Sequence, residues 1–366
     1  LLLGMMIIVG VIHKTGLFEY LAIRAIKKAK GEPKRALVFL IILTALASAI
    51  LDNVTTILLA VPMTLVVCKQ LNVSPVPFIL SQVFASNIGG AATLVGDPPN
   101  IIIASRANLS FNDFLVHMAP WVIVVMMVIT PMLVFMFRKE LVNTAADRAR
   151  IDKLDEKSYL KDKVLLKKSL FVLGAVMIAF VLHTALHLEP SIVAMLGAGV
   201  LVGISRLKPK DYAMDVEWAT LVFFAGLFIM VGALVKTGAL GEFAKFLKDQ
   251  VGDQASLAAM VLLFVSAILS GIIDNIPYVA SMSPVVTELS AGISEQYGDV
   301  LWWALAFGAD FGGNATIIGA SANVVAIGLA HKAGIKISFW QFAKYGIPVT
   351  LVSVAMVAPY ILIRYF

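Results

Sequence analysis

A single cysteine, Cys68, stands in the whole 366-residue chain. That excludes a disulfide framework and a cysteine-built metal site. Charge is scarce too: Asp, Glu, Lys and Arg make up 14% of the residues, against about 25% in an ordinary soluble domain. No stretch is polar enough to form a soluble domain of its own. No Gly-x-x-x-x-Gly-Lys-Ser/Thr loop occurs, which argues against a pump driven by ATP. Apolar residues are abundant, at 60%, and mean hydropathy is +0.92. Windows of about 18 residues with few or no charges recur, each long enough to cross a bilayer as a helix. The composition is that of one all-α polytopic membrane unit with the lipid bilayer as its main partner. The chain opens on Leu1-Leu2-Leu3 without an initiator Met, which predicts further N-terminal spans ahead of it.

Apolar runs predict spans near 1–13, 121–137, 170–187, 190–203, 218–235 and 348–363. Runs 77–106 and 300–330 carry Gly- and Pro-rich interruptions, the mark of a discontinuous helix. Runs 36–69 and 255–291 are broken near the middle by an Asp-Asn pair, which predicts re-entrant hairpins with tips inside the membrane. The net charge of +6 and pI near 9.2 come from clustered bases in short loops. Such clusters mark the cytoplasmic face rather than a nucleic-acid surface. Arg24 to Arg35 holds six basic residues against Glu32 alone, and 138–168 holds ten against six acidic. Both are expected to be cytoplasmic. Segments 236–254 and 291–299 have no basic excess and are expected to face outward.

Internal similarity is collinear. Lys14-Thr15-Gly16, Asp52-Asn53 and Pro62 recur as Lys236-Thr237-Gly238, Asp274-Asn275 and Pro284, at an offset of 222. Gly89-Gly90-Ala91-Ala92-Thr93 and Asn100 recur as Gly312-Gly313-Asn314-Ala315-Thr316 and Asn323, at 223. Ser110-Phe111 and Pro120 recur as Ser338-Phe339 and Pro348, at 228. The first copy's following loop is basic and the second's is neutral, so equivalent segments are expected on opposite faces. The reading is two inverted-topology repeats, 1–137 and 169–366, joined by a cytoplasmic linker, 138–168. In transporters of this architecture the site lies where broken helices of the two repeats meet.

The acidic residues at the predicted breaks are Asp52, Asp97, Asp274 and Asp310. Each costs about 2.5–3.5 kcal/mol at a membrane helix centre on insertion scales, so each is a candidate for proton coupling or cation binding. The bland alternative is a carboxylate capping a half-helix. Amides and hydroxyls beside them (Asn53, Thr55, Thr56, Asn87, Thr93, Asn100, Asn275, Asn314, Thr316, Ser321 and Asn323) can ligate an ion or brace a loop. Gly89, Gly90, Gly312 and Gly313 let the backbone unwind and approach a ligand. His13 and His183 read as packed or interfacial, Lys14 and Lys236 as snorkelling, and Trp302-Trp303 as an interfacial anchor. No metal and no cofactor beyond a coupling ion, H+ or Na+, is expected.

Leu51-Asp52-Asn53-Val54-Thr55-Thr56, Asn87-Ile88-Gly89-Gly90-Ala91-Ala92-Thr93 and Gly96-Asp97-Pro98-Pro99-Asn100 carry a resemblance to a known family. So do Ile273-Asp274-Asn275-Ile276-Pro277, Ala304-Leu305-Ala306-Phe307-Gly308, Gly312-Gly313-Asn314 and Ile318 to Val325, with Val216-Glu217-Trp218-Ala219-Thr220. Nearly end to end, the chain resembles the ArsB/NhaD branch of the ion transporter superfamily, with its arsenite efflux, melanosomal P protein-like and CitMHS-type permeases. The resemblance implies a scaffold, a transport domain with two opposed hairpins, elevator-like alternating access, coupling to protons or sodium, and often a homodimer. It leaves a soluble ATPase partner open.

The expected function is secondary transport of a small inorganic ion across the inner membrane, foremost arsenite or antimonite efflux driven by protons. With one cysteine, any arsenite must be recognised through its hydroxyls. The rivals are sodium/proton antiport and carriage of a carboxylate or other anion. The Asp-Asn tips, in place of the Ser-Asn-Thr tips of dicarboxylate carriers, count against a di- or tricarboxylate. An intramembrane aspartyl protease is disfavoured because Gly96-Asp97 and Ala309-Asp310 do not complete a Gly-x-Gly-Asp sequence. A passive channel is the remaining alternative.

Overall fold

The computed structural model describes residues 1–142, 155–214, 216–238, 242, 254–291 and 295–366, and among them every regular element is helical. The predicted outward segment 236–254 and the middle of the predicted linker lie largely outside the described residues, as does part of 291–299.

The first half runs α1 Leu2–Lys14, α2 Leu17–Lys28, α3 Pro33–Ile50, α4 Asn53–Leu71, α5 Val76–Gly90, α6 Pro98–Ala107, α7 Phe111–His117 and α8 Ala119–Met136. After a short 3-10 turn, Glu156–Tyr159, come α9 Lys163–Leu186, α10 Pro190–Ser205, α11 Pro209–Ala213 and α12 Trp218–Lys236. The last group is α13 Ala255–Ser270, α14 Asn275–Ala291, α15 Glu295–Gly312, α16 Ser321–Lys332 and α17 Phe339–Tyr365. Among the described residues, six of these helices are long and apolar enough to cross a membrane, or seven if the bent pair α1 and α2 counts as one span.

The predicted spans are present, with three corrections. The last helix starts at Phe339, not near Pro348, because Ser338 caps it by accepting from the Gln341 amide at 3.1 Å. Pro348 then sits inside the helix, as do Pro62, Pro131 and Pro284 in theirs. Part of the predicted basic loop, Arg24 to Lys28, is the end of α2. That helix turns one apolar face, Phe18, Ala22, Ile23 and Ile26, inward. The Trp302-Trp303 pair is buried rather than interfacial. Trp303 stacks on His117 with ring centroids 4.9 Å apart and meets Phe114 edge-on.

Helices apolar all round belong in the middle of a bundle. Every residue of α5 from Pro77 to Gly90 is buried, and so is every residue of α15 from Val300 onward. These two, with the hairpins α3–α4 and α13–α14 packed on them, form the core. By contrast α12 exposes Val222, Phe223, Ile229 and Met230 on an outer face.

The elbow between α1 and α2 bends by 60° at Thr15-Gly16. Gly16 is there at φ +76°, and a Cβ on it would fall 1.9 Å from the Tyr159 carbonyl oxygen. A segment within the predicted linker thus lies directly on the elbow. The Lys161 amide donates to the Thr15 carbonyl at 2.9 Å, and Lys27 Nζ pairs with Glu156 at 2.6 Å. The Lys27 hydrogen bond, helped by its charge, holds the Glu156 carboxyl below the usual carboxylate range.

Candidate functional site

The first half builds its part of the site from two helix ends. Asp52 is the N-cap of α4: its carboxylate accepts from the Thr55 amide at 2.8 Å and from the Thr55 hydroxyl. This puts Asn53, Thr55 and Thr56 in the first helical turn. Nearby, α5 lies so close to α3 that a Cβ on Gly89 would stand 2.4 Å from the Ala45 carbonyl oxygen. Ser48 Oγ ties the pair by donating to the Ser86 carbonyl at 2.8 Å. Past Gly90 the chain unwinds until Pro98. Thr93 Oγ1 donates to the Ala49 carbonyl at 2.6 Å, and Asn100 Nδ2 donates to the Thr93 carbonyl at 3.0 Å. Backbone freed from helix is therefore satisfied by side chains, as burial requires.

The second half repeats most of these contacts at matched positions, the partners of its Asp-Asn carboxylate excepted. Gly312 meets Ala267 as Gly89 meets Ala45. Ser270 Oγ donates to the Ala309 carbonyl, Thr316 Oγ1 to the Gly271 carbonyl, and Asn323 Nδ2 to the Thr316 and Gly313 carbonyls. Asp274 accepts from the Ile276 amide at 3.0 Å and from the Ser321 hydroxyl. In both halves, then, much of the candidate amide and hydroxyl set braces the break.

Two candidates escape that role. Asp97 is wholly buried at the start of α6 but makes no capping bond with its side chain. Its Oδ2 accepts from Asn53 Nδ2 at 2.9 Å and from Asn275 Nδ2 at 3.4 Å, while Oδ1 has no partner among the described residues. Asp310 is also wholly buried, and neither of its oxygens has a hydrogen bond among the described residues. It lies in the last turn of α15 rather than in the break expected there, and Asn87 likewise lies within α5. The unwinding begins only where paired glycines end each helix. Asn87 Nδ2 crosses to the other half, donating to Asn323 Oδ1 at 2.9 Å and Asn314 Oδ1 at 3.0 Å. Acceptors Asn53 Oδ1, Asn87 Oδ1 and Asn100 Oδ1 are buried with no partner among the described residues.

Asp52 and Asp274 line one cavity of about 450 Å³, with Pro98, Pro277 and Ser321 from the breaks, Leu2 and Met6 from α1, and Glu217 and Thr220 at the head of α12. Glu217 accepts from Thr220 Oγ1 at 3.0 Å, and its other oxygen is buried and unpartnered among the described residues. Sequence reasoning did not select Glu217. It stands at the mouth of an apolar span, within the segment Val216 to Thr220 that carries part of the family resemblance. Of the weaker candidates, His183 Nε2 accepts from the Phe111 amide at 3.2 Å and lies away from this site. Among the described residues no group of three or more His, Cys, Asp or Glu side chains can hold a metal ion.

The CitMHS family, described as a citrate transporter, matches residues 1–308. The chain is 54% identical over 368 residues to an uncharacterized transporter of Mycobacterium tuberculosis, covering all of this chain and 85% of that one. It is 53% identical over 366 residues to a 46 kDa membrane protein of Mycobacterium leprae, with the same coverage. It is 34% identical over 446 residues to the human P protein, of which it spans 53%. With its apolar helices and this match over most of its length, the chain is an integral membrane protein that belongs to the CitMHS family of transporters, within the ion transporter superfamily.

Proposed function

We propose that the protein is a secondary active transporter of a small ion, coupled to a cation that binds at Asp97 and Asp310. The observation that carries this reading is that these two buried carboxylates have no cationic partner among the described residues. Both are wholly buried, and among the described residues no lysine, arginine or histidine forms an ion pair with either. An isolated ionised carboxylate in a dry interior is too costly to persist, so each must carry a proton or sit beside a cation. Either partner comes from water on one face of the membrane. Loading on one face and release on the other is coupled transport.

The matched contacts of the two halves support inverted repeats with elevator-like motion, placed in the cytoplasmic membrane with the basic α2 inward. The 450 Å³ cavity between Asp52, Glu217 and Asp274 is the cargo space. Arsenite and antimonite, the cargo expected from the resemblance, are uncharged and hydroxylated at neutral pH. They could enter without repulsion and be held by Ser321 and Thr220. Citrate, to which the family's description points, would set its own carboxylates against three more. A second reading is sodium/proton exchange, favoured by the unpartnered amide and carboxylate oxygens around Asp97, the ligand type hard cations prefer.

Purified protein in liposomes, under an imposed pH gradient, tests the set. Arsenite, antimonite, citrate and sodium are each supplied, and uptake is read with internal pH. Arsenite movement that dissipates the gradient supports the first cargo, and sodium alone doing so supports exchange. Cargo flux indifferent to pH and sodium, or conductance without saturation, overturns coupling.

A further inference from the structure

The two halves also differ at a matched place beside the hairpin tips. In the second half Tyr278 reaches from α14 to α13, and its hydroxyl lies 2.9 Å from Ser266 Oγ. Both are buried, and the neighbouring positions are the apolar, buried Leu305 and Val286. Their counterparts at the repeat offsets are Thr56, Thr44, Gln82 and Thr64. Every apolar or space-filling residue of the second half is thus a smaller or more polar one in the first. Gln82 Nε2 donates to Thr44 Oγ1 at 3.1 Å, and Thr64 donates to Gln82 Oε1. Where Tyr278 reaches across in the second half, the short Thr56 borders a cavity of about 20 Å³ lined by Thr44, Thr56 and Gln82 and otherwise by apolar side chains, Phe18 and Met63 among them.

Thr56 is 2% exposed, and its hydroxyl has no partner among the described residues. A water needs about 10–15 Å³ of such space and two to four polar partners, and this cavity supplies both. Thr56 also sits one turn along α4 from Asn53, the residue that holds Asp97. Its rim residue Phe18 belongs to α2, on the basic side of the molecule.

We propose that this cavity is a water site giving small cations a path between the α2 side of the membrane and the Asn53–Asp97 pair, and that Tyr278 plugs its counterpart in the other half. Its purpose rests on the transporter reading, but its existence does not. The path makes cation access one-sided in this state. Two matched halves would otherwise leave the buried carboxylates open to both faces, and a leak would replace coupling.

The test uses the full chain in native membranes with Cys68→Ser, so that an introduced cysteine is the sole thiol. Ag+, a small thiol-reactive cation, is the probe, and the readout is cysteine left free for maleimide after denaturation. Thr44→Cys should be blocked by Ag+ more than about tenfold faster than Ser266→Cys, a difference of about 1.4 kcal/mol in barrier. Adding Thr56→Tyr should protect Thr44→Cys, and adding Tyr278→Thr should expose Ser266→Cys. Should Thr44→Cys not fold, Thr56→Cys serves in its place, compared with Ser266→Cys. Equal rates at the two sites, or a Thr44→Cys that resists Ag+ while Lys34→Cys on the surface reacts, overturns the water site. Proton-driven flux in liposomes separates the two claims. Asymmetric blocking without any coupled flux removes the transporter reading and keeps the cavity, whereas coupled flux with symmetric blocking does the reverse.

Discussion

Asn53 and Asn275, matched residues from opposite halves of the chain, donate to the same atom, Oδ2 of Asp97. A single carboxylate is therefore gripped by both Asp-Asn hairpin tips. The grip is uneven, 2.9 Å from the first half and 3.4 Å from the second. Asp97 has no acidic partner by symmetry, because Ala320 occupies the matched position and Asn87 matches Asp310. Matched amides of the two halves thus hold an unmatched charge.

Asp97→Asn should keep the fold and lose the coupling. The amide preserves the shape and can still accept through its oxygen, but it can neither take up a proton nor balance a cation. Coupled flux in liposomes should fall by about tenfold or more, an effect of at least about 1.4 kcal/mol on the rate-limiting barrier. Unfolding temperature in detergent checks the fold, and wild-type coupling in this variant would remove Asp97 from the mechanism.

Asn87→Leu should destabilise without touching any carboxylate. It strips the donor from two buried acceptors of the other half, Asn314 Oδ1 and Asn323 Oδ1. Each unsatisfied buried group costs about 1–3 kcal/mol. Denaturant titration should show a lower midpoint, and an unchanged midpoint would mean that the halves are held together elsewhere.

Gly89→Ala and Gly312→Ala should be damaging alike. The added methyl would meet the Ala45 carbonyl oxygen at 2.4 Å in one half and the Ala267 carbonyl oxygen at 2.5 Å in the other. Backbone cannot step aside as a flexible side chain can, so each substitution forces helices apart at a cost of about 1–3 kcal/mol. Thermal melting of the two variants should give similar losses. A neutral Gly312→Ala beside a harmful Gly89→Ala would break the pairing of the halves.

The Lys27–Glu156 tie should survive mild acid. Its carboxyl titrates below the usual range in the folded protein, so its contribution is complete above the unfolded value and disappears as pH falls through the folded one. The protection factor of the Lys161 amide, which donates to Thr15, should hold through the ordinary carboxylate range, about pH 4, and fall only below it. In Lys27→Ala that fall should move to higher pH.

Most of the site was legible because its residues break rules that membrane helices otherwise obey. Acids, paired glycines and prolines inside apolar runs stand out, and several recur at offsets of 222 or 223, at positions whose contacts prove to match. Thr93 with Thr316 and Asn100 with Asn323 are examples. Legibility ended where lipid and protein interior look the same to an apolar side chain. Nothing in the composition of 300–312 says that it is enclosed on all sides, so Trp302 and Trp303 were read as facing the interface. Gln82 and Glu217 went unselected for a different reason. Gln82 lies within a span and Glu217 at the head of one, and what makes each matter is a partner far away in sequence: Thr44 for Gln82, and Asp52 with Asp274 around the cavity for Glu217. Asp310 was placed in unwound chain because Gly312 and Gly313 follow so closely, yet α15 continues to Gly312 before it opens.

The elbow at Thr15-Gly16 carries a mechanical corollary. Because Tyr159 and Lys161 seat on it and Glu156 is tied to α2, the strap at 156–161 and the amphipathic arm travel as one piece. A spin label or fluorophore on that strap would therefore report any displacement of α2.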